Sequence, residues 1–345
     1  MDGGSSVKNP EKKMDEQSAQ SRLNRPRYAA RLNAFKAAIK GKATIGDLIG
    51  QAAAVPGLDS ADLNYPDHFE SDDPSVVSGI LRDNGMMLNG LAMRYYTNPK
   101  FSIGAFTNPD PQVRQQAIDL TKKGIDVVAE MGGNLMTIWL GQDGFDYSFQ
   151  MDYRRAWDDT VAAIEEVARH NPQIDVSIEY KPNEPRAYAV MSDVGSTLLA
   201  VKEAGCKNLG VTLDFAHVLY ADEMPAHTAS LVARHSRLLG VHLNDGYGKR
   251  DDGLMVGSVH PIQTVELLVA LAAIGYDSVI YFDTFPDHGG LDPQAECQTN
   301  ILATERLREI AEALVGDQEL AKAIASQDAA ISHRIVSTYL FGRSG

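Results

Sequence analysis

The sequence predicts an α/β protein folded as a (β/α)8 TIM barrel, with a disordered or extended N-terminal tail and C-terminal helices. Eight short apolar runs alternate with helix-like segments along the 345 residues, which is the order that a closed parallel barrel requires. Four of the later runs end in a carboxylate or an imidazole. The glycine-rich turns GxGxxG and GxxxxGK[ST], which hold nucleotides in doubly wound sheets, do not occur in the sequence.

Each strand is predicted from a short run of β-branched and aromatic residues, and each helix from a longer segment with capping signals. The predicted strands are 28–35, 60–65, 86–92, 134–140, 174–180, 209–214, 238–244 and 278–283. Helices are predicted at 110–131, 152–170, 192–204, 225–237 and 261–274. The chain then divides into a flexible tail at 1–24, a catalytic barrel at 25–315 and a helical extension at 316–345.

Composition argues against several classes of protein. The formal net charge of -14 argues against nucleic-acid binding, which uses a basic surface. No apolar run is long enough to cross a bilayer and no signal-peptide pattern is present, so we expect a soluble, cytoplasmic protein without membrane partners. Cys206 and Cys297 are far apart and predict neither a disulfide framework nor a cysteine metal site. Apolar residues near the C-terminus need burial, on the chain's own barrel or on a partner: Val336, Tyr339, Leu340 and Phe341.

The strand ends predict a metal site. Four runs end in side chains that bind hard divalent cations, namely VSIE at 176–179, VTLD at 211–214, LGVH at 239–242 and VIYFD at 279–283. A buried, unpaired carboxylate costs several kcal/mol, so these ends need a shared partner. Glu179, Asp214, His242 and Asp283 therefore predict a site for Mn²⁺, or for Mg²⁺ or Co²⁺. The alternative for each residue is a helix cap or a bond to a backbone amide.

Lys181 lies two residues after Glu179, so both side chains leave the same face of an extended chain, toward the barrel mouth. A lysine beside a metal can polarise a substrate oxygen. The alternative is a salt bridge to Glu184 or Asp214.

His217 follows Asp214 by three residues, where a turn would return it to the same mouth. A second cation could then bridge Asp214, His217 and a carboxylate such as Asp251 from the loop 244–252. The alternative for His217 is a hydrogen bond to a backbone carbonyl.

Several motifs resemble a known family. The segment EYKPNEPR at 179–186 resembles the strand-five signature of xylose isomerases, and TNPKFSIGAFT at 97–107 and TIWLG at 137–141 resemble the same family around its third and fourth strands. In the C-terminal half, HLND at 242–245, DDGL at 251–254 and Asp283 resemble the L-rhamnose isomerase branch. The resemblance covers roughly 85–300 and places the chain in the xylose isomerase-like TIM-barrel superfamily.

The resemblance implies roles for individual residues. The structural metal would take Glu179, Asp214, His242 and Asp283. Lys181 would assist the carbonyl oxygen. Trp139 would form an apolar wall against the sugar, and Asn89 and Asp251 would complete the substrate contacts.

Two departures from the family pattern bear on mechanism. The family holds its second metal with two aspartates two positions apart, whereas this loop has Asp251 and then Gly253, with Asp252 as a poor substitute. The family's ring-opening histidine has His68 as its nearest counterpart, with Asp67 as a candidate to orient it.

The function implied is the interconversion of an aldose and a ketose by a divalent-metal-dependent isomerase, with hydride transfer between C1 and C2 of the open-chain sugar. The alternative is a one-metal enzyme that moves a proton on a keto sugar, using His68, Lys181 or His217 as the base. Ketose epimerases work in this way, as do the large subunits of C-glycoside deglycosidases, which would require a small partner subunit. A non-catalytic sugar-binding protein and a three-metal DNA-repair barrel are weaker alternatives. The family also implies a homo-oligomer.

Overall fold

The computed structural model describes residues 26–342, which form one closed barrel of eight parallel strands. In chain order the strands are β1 Tyr28–Arg31, β2 Ser60–Tyr65, β3 Met87–Met93, β4 Leu135–Trp139, β5 Asp175–Glu179, β6 Leu209–Asp214, β7 Leu238–Leu243 and β8 Ile280–Phe282. Each strand pairs with its neighbours in sequence, and β1 pairs with β8 to close the barrel. The predicted barrel is therefore confirmed. The predicted tail at 1–24 lies outside the described residues.

Twelve α-helices accompany the barrel in the described part of the chain. They are α1 Ile45–Ala53, α2 Pro74–Asp83, α3 Pro111–Glu130, α4 Tyr153–His170, α5 Val194–Ala204, α6 Phe215–Tyr220, α7 Pro225–His235, α8 Pro261–Ile274, α9 Pro286–Gly289, α10 Pro293–Val315, α11 Gln318–Ala325 and α12 Ala329–Phe341. The five helices predicted by range agree with α3, α4, α5, α7 and α8 to within two residues at either end. No helix within residues 26–342 is long and apolar enough to cross a membrane.

The strands turn their apolar side chains into one continuous core. Fully buried residues such as Leu63, Val176, Val211 and Val241 lie on four of the strands and account for the apolar runs seen in the sequence. Burying such side chains stabilises the fold by about 1.5–3 kcal/mol each. This rigid core fixes the strand ends, and so fixes the distances between the side chains that follow them.

One predicted strand is too long. The first was predicted to run to residue 35, but β1 ends at Arg31 and Leu32–Ala38 form a 3-10 helix. Leu32 and Phe35 are buried in that turn, so their apolar character reflects packing against the core and not strand pairing.

The C-terminal helices are present as predicted, and they pack on this chain's own core. Val336 and Leu340 of α12 lie against the core, whereas Tyr339 and Phe341 are exposed, Phe341 by 72%. The chain's own core therefore covers two of the four apolar residues, and the homo-oligomer stays a prediction.

Candidate metal centre and sugar site

The four predicted metal ligands meet at the C-terminal mouth of the barrel. Glu179 ends β5, Asp214 ends β6, His242 lies one residue before the end of β7, and Asp283 follows β8 directly. Strand pairing places Asp214 beside His242. One ligand atom from each of the four side chains lies within 4.8 Å of all the others. Adjacent parallel strands thus bring together residues that are about one hundred positions apart in sequence.

The electrostatics of this cluster call for a cation. Burial raises the pKa of Asp283 to about 7, and the nearby Asp214 carboxylate adds to the shift. Burial also opposes the charged form of His242, but Glu179 and Asp283 outweigh it and raise the pKa of His242 to about 10. Three carboxylates crowded in a low-dielectric site repel one another, and a shared positive charge offsets that repulsion.

Three carboxylates and one imidazole are a donor set that fits Mn²⁺ or Mg²⁺. The alternative of simple capping applies to Asp214 as well, because its Oδ1 accepts a hydrogen bond from the backbone N–H of His217 at the start of α6. Capping uses one carboxylate oxygen of Asp214 and does not involve Glu179 or Asp283.

Asn244 supports the cluster and is missed by the sequence analysis as a site residue. Its side-chain amide donates to both carboxylate oxygens of Asp214 at 3.1 and 3.3 Å and to the backbone carbonyl of Asp283 at 3.0 Å. Its side-chain oxygen accepts from the backbone N–H of Ala216 at 2.8 Å. Because Asn244 is fully buried, these bonds hold two of the metal ligands in fixed positions. Its place two residues after His242 is the only signal in the sequence.

Lys181 and His217 meet at Asp251, next to the metal cluster. Lys181 Nζ lies 3.1 Å from Asp251 Oδ2 and 3.0 Å from a Glu184 carboxylate oxygen. His217 Nε2 lies 3.1 Å from the same Asp251 oxygen, and its Nδ1 lies 3.1 Å from the backbone carbonyl oxygen of Tyr180. Lys181 thus forms the salt bridge to Glu184, and His217 contacts a backbone carbonyl, as the two alternatives anticipated. Both side chains nevertheless line the cavity.

These contacts set the charge of each group. Burial opposes the charge on Lys181, but Asp251 and Glu184 outweigh it, so the pKa of Lys181 is raised above its ordinary value. Burial likewise opposes the charge on His217, and Asp214 and Asp251 raise its pKa to about 9. Burial disfavours the charged form of Asp251, yet His217 and Lys181 hold its pKa well below the ordinary range. Near pH 7 the metal-free chain therefore carries an anion between two cations.

The loop after β7 gives little support to the predicted second cation. Asp252 turns away, since its carboxylate accepts from Arg250 Nε at 2.7 Å and from the backbone N–H of Tyr247 at 2.8 Å. Gly253 has a φ of +56°, and a Cβ there would lie 2.3 Å from a ring carbon of Phe285. Position 253 therefore has no room for the family's second aspartate, and Asp251 already has two cationic partners.

A cavity of about 470 Å³ opens over the cluster. Trp139 lies in its wall, and Lys181 Nζ lies 5.3 Å from the centre of the Trp139 ring. Asn89 reaches the site indirectly, because it donates a 2.7 Å hydrogen bond to Asp62, which lines the cavity. Burial raises the pKa of Asp62 to about 6, against the hydrogen bond from Asn89. The sequence analysis missed Asp62, although an acid inside an apolar strand was a signal.

His68 lies apart from the metal cluster. It lines a separate pocket with residues such as Lys36 and Glu70. Its Nδ1 accepts from the backbone N–H of Asn64 at 3.0 Å and its Nε2 lies 3.1 Å from Asn33 Oδ1. Burial lowers the pKa of His68 to about 3, so it is neutral near pH 7.

Asp67, the candidate for orienting His68, contacts Arg94 and Thr97 instead. The geometry gives His68 a structural role, and its catalytic role stays a prediction without support from this arrangement.

Comparison with known proteins agrees with this architecture. Residues 51–310 match the family model described as "Xylose isomerase-like TIM barrel". The chain is 28% identical over 257 residues to the xylose isomerase of Thermus thermophilus and 27% identical over 259 residues to that of Thermus caldophilus. Each alignment covers 71% of this chain and 66% of the relative, so the chain spans about two thirds of the length of these curated relatives.

Solved structures share the fold. The D-psicose 3-epimerase of Clostridium cellulolyticum H10, solved with D-tagatose, superposes with a TM-score of 0.65 at 16% identity, over 82% of this chain and 99% of that one. A xylose isomerase domain protein from Alicyclobacillus acidocaldarius gives a TM-score of 0.62 at 18% identity, over 83% and 99% of the two chains.

The fold is that of a closed parallel barrel with a candidate metal site at its C-terminal mouth. The chain belongs to the xylose isomerase-like TIM-barrel family.

Binding of a divalent cation is expected to release protons from this site. The cation needs a neutral imidazole and ionised carboxylates, whereas the metal-free chain holds His242 protonated and Asp283 partly protonated near pH 7. The apparent affinity for Mn²⁺ should therefore rise between about pH 6 and pH 8. Titration calorimetry in two buffers of different ionisation enthalpy measures the released protons. An affinity independent of pH, with no proton release, would contradict this arrangement.

Proposed function

We propose that this protein is a metal-dependent isomerase that interconverts an aldose and a ketose. The observation that carries the proposal is Lys181, whose ammonium group projects into the cavity between Asp251, Glu184 and the Trp139 ring. Glu179, Asp214, His242 and Asp283 would hold the cation, which when bound polarises the oxygens of the reacting carbons. The matching motif around Lys181 and the identity to xylose isomerases support this choice over other reactions of the family.

The residues of this chain have distinct tasks in such a reaction. Lys181 donates a hydrogen bond to the carbonyl oxygen of the open-chain sugar and stabilises negative charge that develops there. Asp251 and Glu184 hold the ammonium in place, and His217 fixes Asp251 from the other side. Trp139 offers an apolar face that excludes water from the reacting carbons. Lys181 and His217 thus supply positive charge where the family would use a second metal.

The charge states favour hydride transfer. Lys181 and His217, both considered as bases, are protonated near pH 7 in this arrangement, so they are poorly suited to abstract a proton from carbon. A hydride shift needs no base on carbon. The hydrogen on C2 of the aldose moves to C1 with its electron pair, O2 loses its proton to leave a ketone, and O1 gains one.

Asp62 favours a second candidate, proton transfer on a keto sugar. It lines the cavity opposite part of the metal cluster, and its pKa of about 6 leaves it ionised near pH 7 and close to the value of an efficient base. A ketose epimerase or a deglycosidase subunit would use Asp62 in this way. Two 3-epimerases among the solved structures share the fold, and epimerisation of a ketose is therefore the alternative reaction considered for this chain.

The resident cation is proposed to be Mn²⁺, because a mixed carboxylate and imidazole set suits it, with Mg²⁺ and Co²⁺ as the competitors.

We also propose that the chain forms a homo-oligomer. Such an assembly would cover the exposed Tyr339 and Phe341 of α12. Sedimentation of the purified chain measures that assembly directly.

Reaction in heavy water separates the two candidates. The Mn²⁺-loaded protein is incubated in D₂O with a panel of ketohexoses and ketopentoses, and the products are read by NMR. We expect aldose as product with the substrate's own hydrogen on the receiving carbon. A C3 epimer, or deuterium on carbon, would contradict the hydride-transfer isomerase.

Asp62→Asn sharpens the result. Under hydride transfer it should retain most of the activity, whereas a proton-transfer enzyme that uses Asp62 should lose about 100-fold or more in kcat. Asp83→Asn is the matched control, since Asp83 is an exposed acid at the end of α2.

A further inference from the structure

Two guanidinium groups line the cavity wall. Arg31 ends β1 and Arg94 directly follows β3, and both line the cavity. Lys181 follows β5, and in the closed strand order β5 is the strand farthest from β1. Arg31 therefore lies across the barrel from Lys181, and Arg94, which follows a strand two positions from β5, lies on the wall between them.

Arg94 has little to neutralise it. Its Nε is buried and has no hydrogen-bond partner among residues 26–342. The Asp67 carboxylate lies 3.7 Å from that Nε, which is beyond hydrogen-bond distance, and Asp67 also accepts from Thr97. The guanidinium instead stacks over the Tyr96 ring at 4.3 Å from its centre. A buried donor without an acceptor costs about 1–3 kcal/mol, and Arg94 lines the cavity, so its guanidinium has hydrogen-bonding capacity left for an anionic ligand there.

Arg31 is better compensated and serves as a support. It pairs with Asp287, donates from Nε to the backbone carbonyl of Thr284 at 3.1 Å, and lies over the Phe285 ring at 4.9 Å. These contacts fix its position on the cavity wall. Lys181, by comparison, is neutralised by two carboxylates. The cation with unused hydrogen-bonding capacity is therefore Arg94.

Tyr96 lines the cavity beside Arg94, whose guanidinium lies over its ring. Burial raises the pKa of the Tyr96 hydroxyl. Its ring packs edge-on against Trp139 with centroids 5.2 Å apart. The wall is thus continuous from the predicted sugar-binding tryptophan to Arg94.

We propose that Arg94, supported by Arg31 and Tyr96, binds an anionic group on the substrate. The group is a carboxylate or a phosphate, both of which match the planar donor array of arginine. The preferred substrate is then a sugar acid or a sugar phosphate, bound more tightly than the corresponding neutral sugar. This inference rests on the proposed function, because it takes the reacting carbonyl to lie at Lys181.

Binding measurements on matched sugars test the inference. Calorimetry is performed on the Mn²⁺-loaded protein with two trios, D-glucose, D-glucuronate and D-glucose 6-phosphate, and the corresponding D-galactose compounds. We expect the acid or the phosphate of at least one trio to bind about 10- to 100-fold more tightly than its neutral member. The arm that shows the gain identifies carboxylate or phosphate. Raised salt should weaken that arm and leave the neutral sugar unaffected.

Variants assign the gain to Arg94. Arg94→Met keeps the stem over Tyr96 and should remove the preference while it leaves the affinity for the neutral sugar unchanged; Arg94→Lys should restore part of it. Arg82→Met, at an exposed arginine on α2, is the matched control for a lost positive charge and should behave as the natural chain.

The outcomes separate this inference from the proposed function. If neutral sugars bind equally well and are isomerised, and Arg94→Met changes nothing, the inference is overturned and the proposed function stands. If anionic sugars bind through Arg94 but yield no isomer, the anion site stands and the proposed function fails. Failure of all six compounds to bind counts against both.

Discussion

Asparagine in place of Asp283 is expected to abolish the stabilisation of this protein by Mn²⁺ and to reduce its isomerase activity by at least about 100-fold. The natural chain should gain about 2.7 kcal/mol at a metal concentration 100 times the dissociation constant. Asp283→Asn removes one of the four residues whose donor atoms lie within 4.8 Å of one another. Thermal unfolding with and without MnCl₂ measures the difference.

The same variant should make the metal-free protein more stable at alkaline pH. The pKa of Asp283 is raised from 3.8 to about 7 in the folded chain, so the unfolded chain ionises first. Stability is therefore lost as the pH rises from about 4 through 7, and the loss is complete near pH 8. Asparagine cannot ionise and escapes this loss.

Asp277→Asn, at an exposed acid just before β8, is the matched control and should leave both the stability and the Mn²⁺ response unchanged. An Asp283→Asn protein that still gains stability from Mn²⁺ would show that the cation binds elsewhere.

Methionine in place of Lys181 is expected to lower kcat by about 10²- to 10⁴-fold while Mn²⁺ binding is retained. The side chain keeps its length over Trp139 but loses the charge that faces the carbonyl oxygen. Asp251 keeps His217 as a cationic partner, so the loop should remain in place. Steady-state kinetics with parallel metal titration separates catalysis from metal binding.

Lys202→Met, on the exposed face of α5, is the control for a lost lysine charge. Unchanged kcat in Lys181→Met would mean that Lys181 serves only as an ion-pair partner of Asp251 and Glu184. The sequence left open a salt bridge to Glu184 or Asp214 as the alternative role.

The sequence predicted the barrel and brought four candidate metal ligands to the strand ends because both depend on local signals. A run such as VTLD at 211–214 shows a buried strand and its final ligand in four residues. Parallel strand order then places Asp214 next to His242 without further information. Even so, the length of β1 was misjudged, because Leu32 and Phe35 are apolar for a reason that lies elsewhere in the fold.

The supporting residues could not be predicted because their roles depend on distant partners. Asn244 matters through bonds to Asp214 and to the backbone of Asp283, and Asp62 through a cavity formed by several strands. Arg94 stands out because its buried Nε has no hydrogen-bond partner among residues 26–342, and no pattern in the sequence indicates this. His68 was predicted as a catalytic candidate from its position in the sequence, but its side chain lines a separate pocket.

Metal content per chain tests the central claim most directly. Elemental analysis after mild dialysis should find one divalent cation per natural chain, none in Asp283→Asn, and one in Asp251→Ala, because Asp251 pairs with Lys181 and His217 and not with the four-residue cluster. No metal in the natural chain under any condition would contradict the metal-dependent isomerase. Two cations, one of them lost with Asp251, would contradict the assignment of Lys181 and His217 to the place of a second metal.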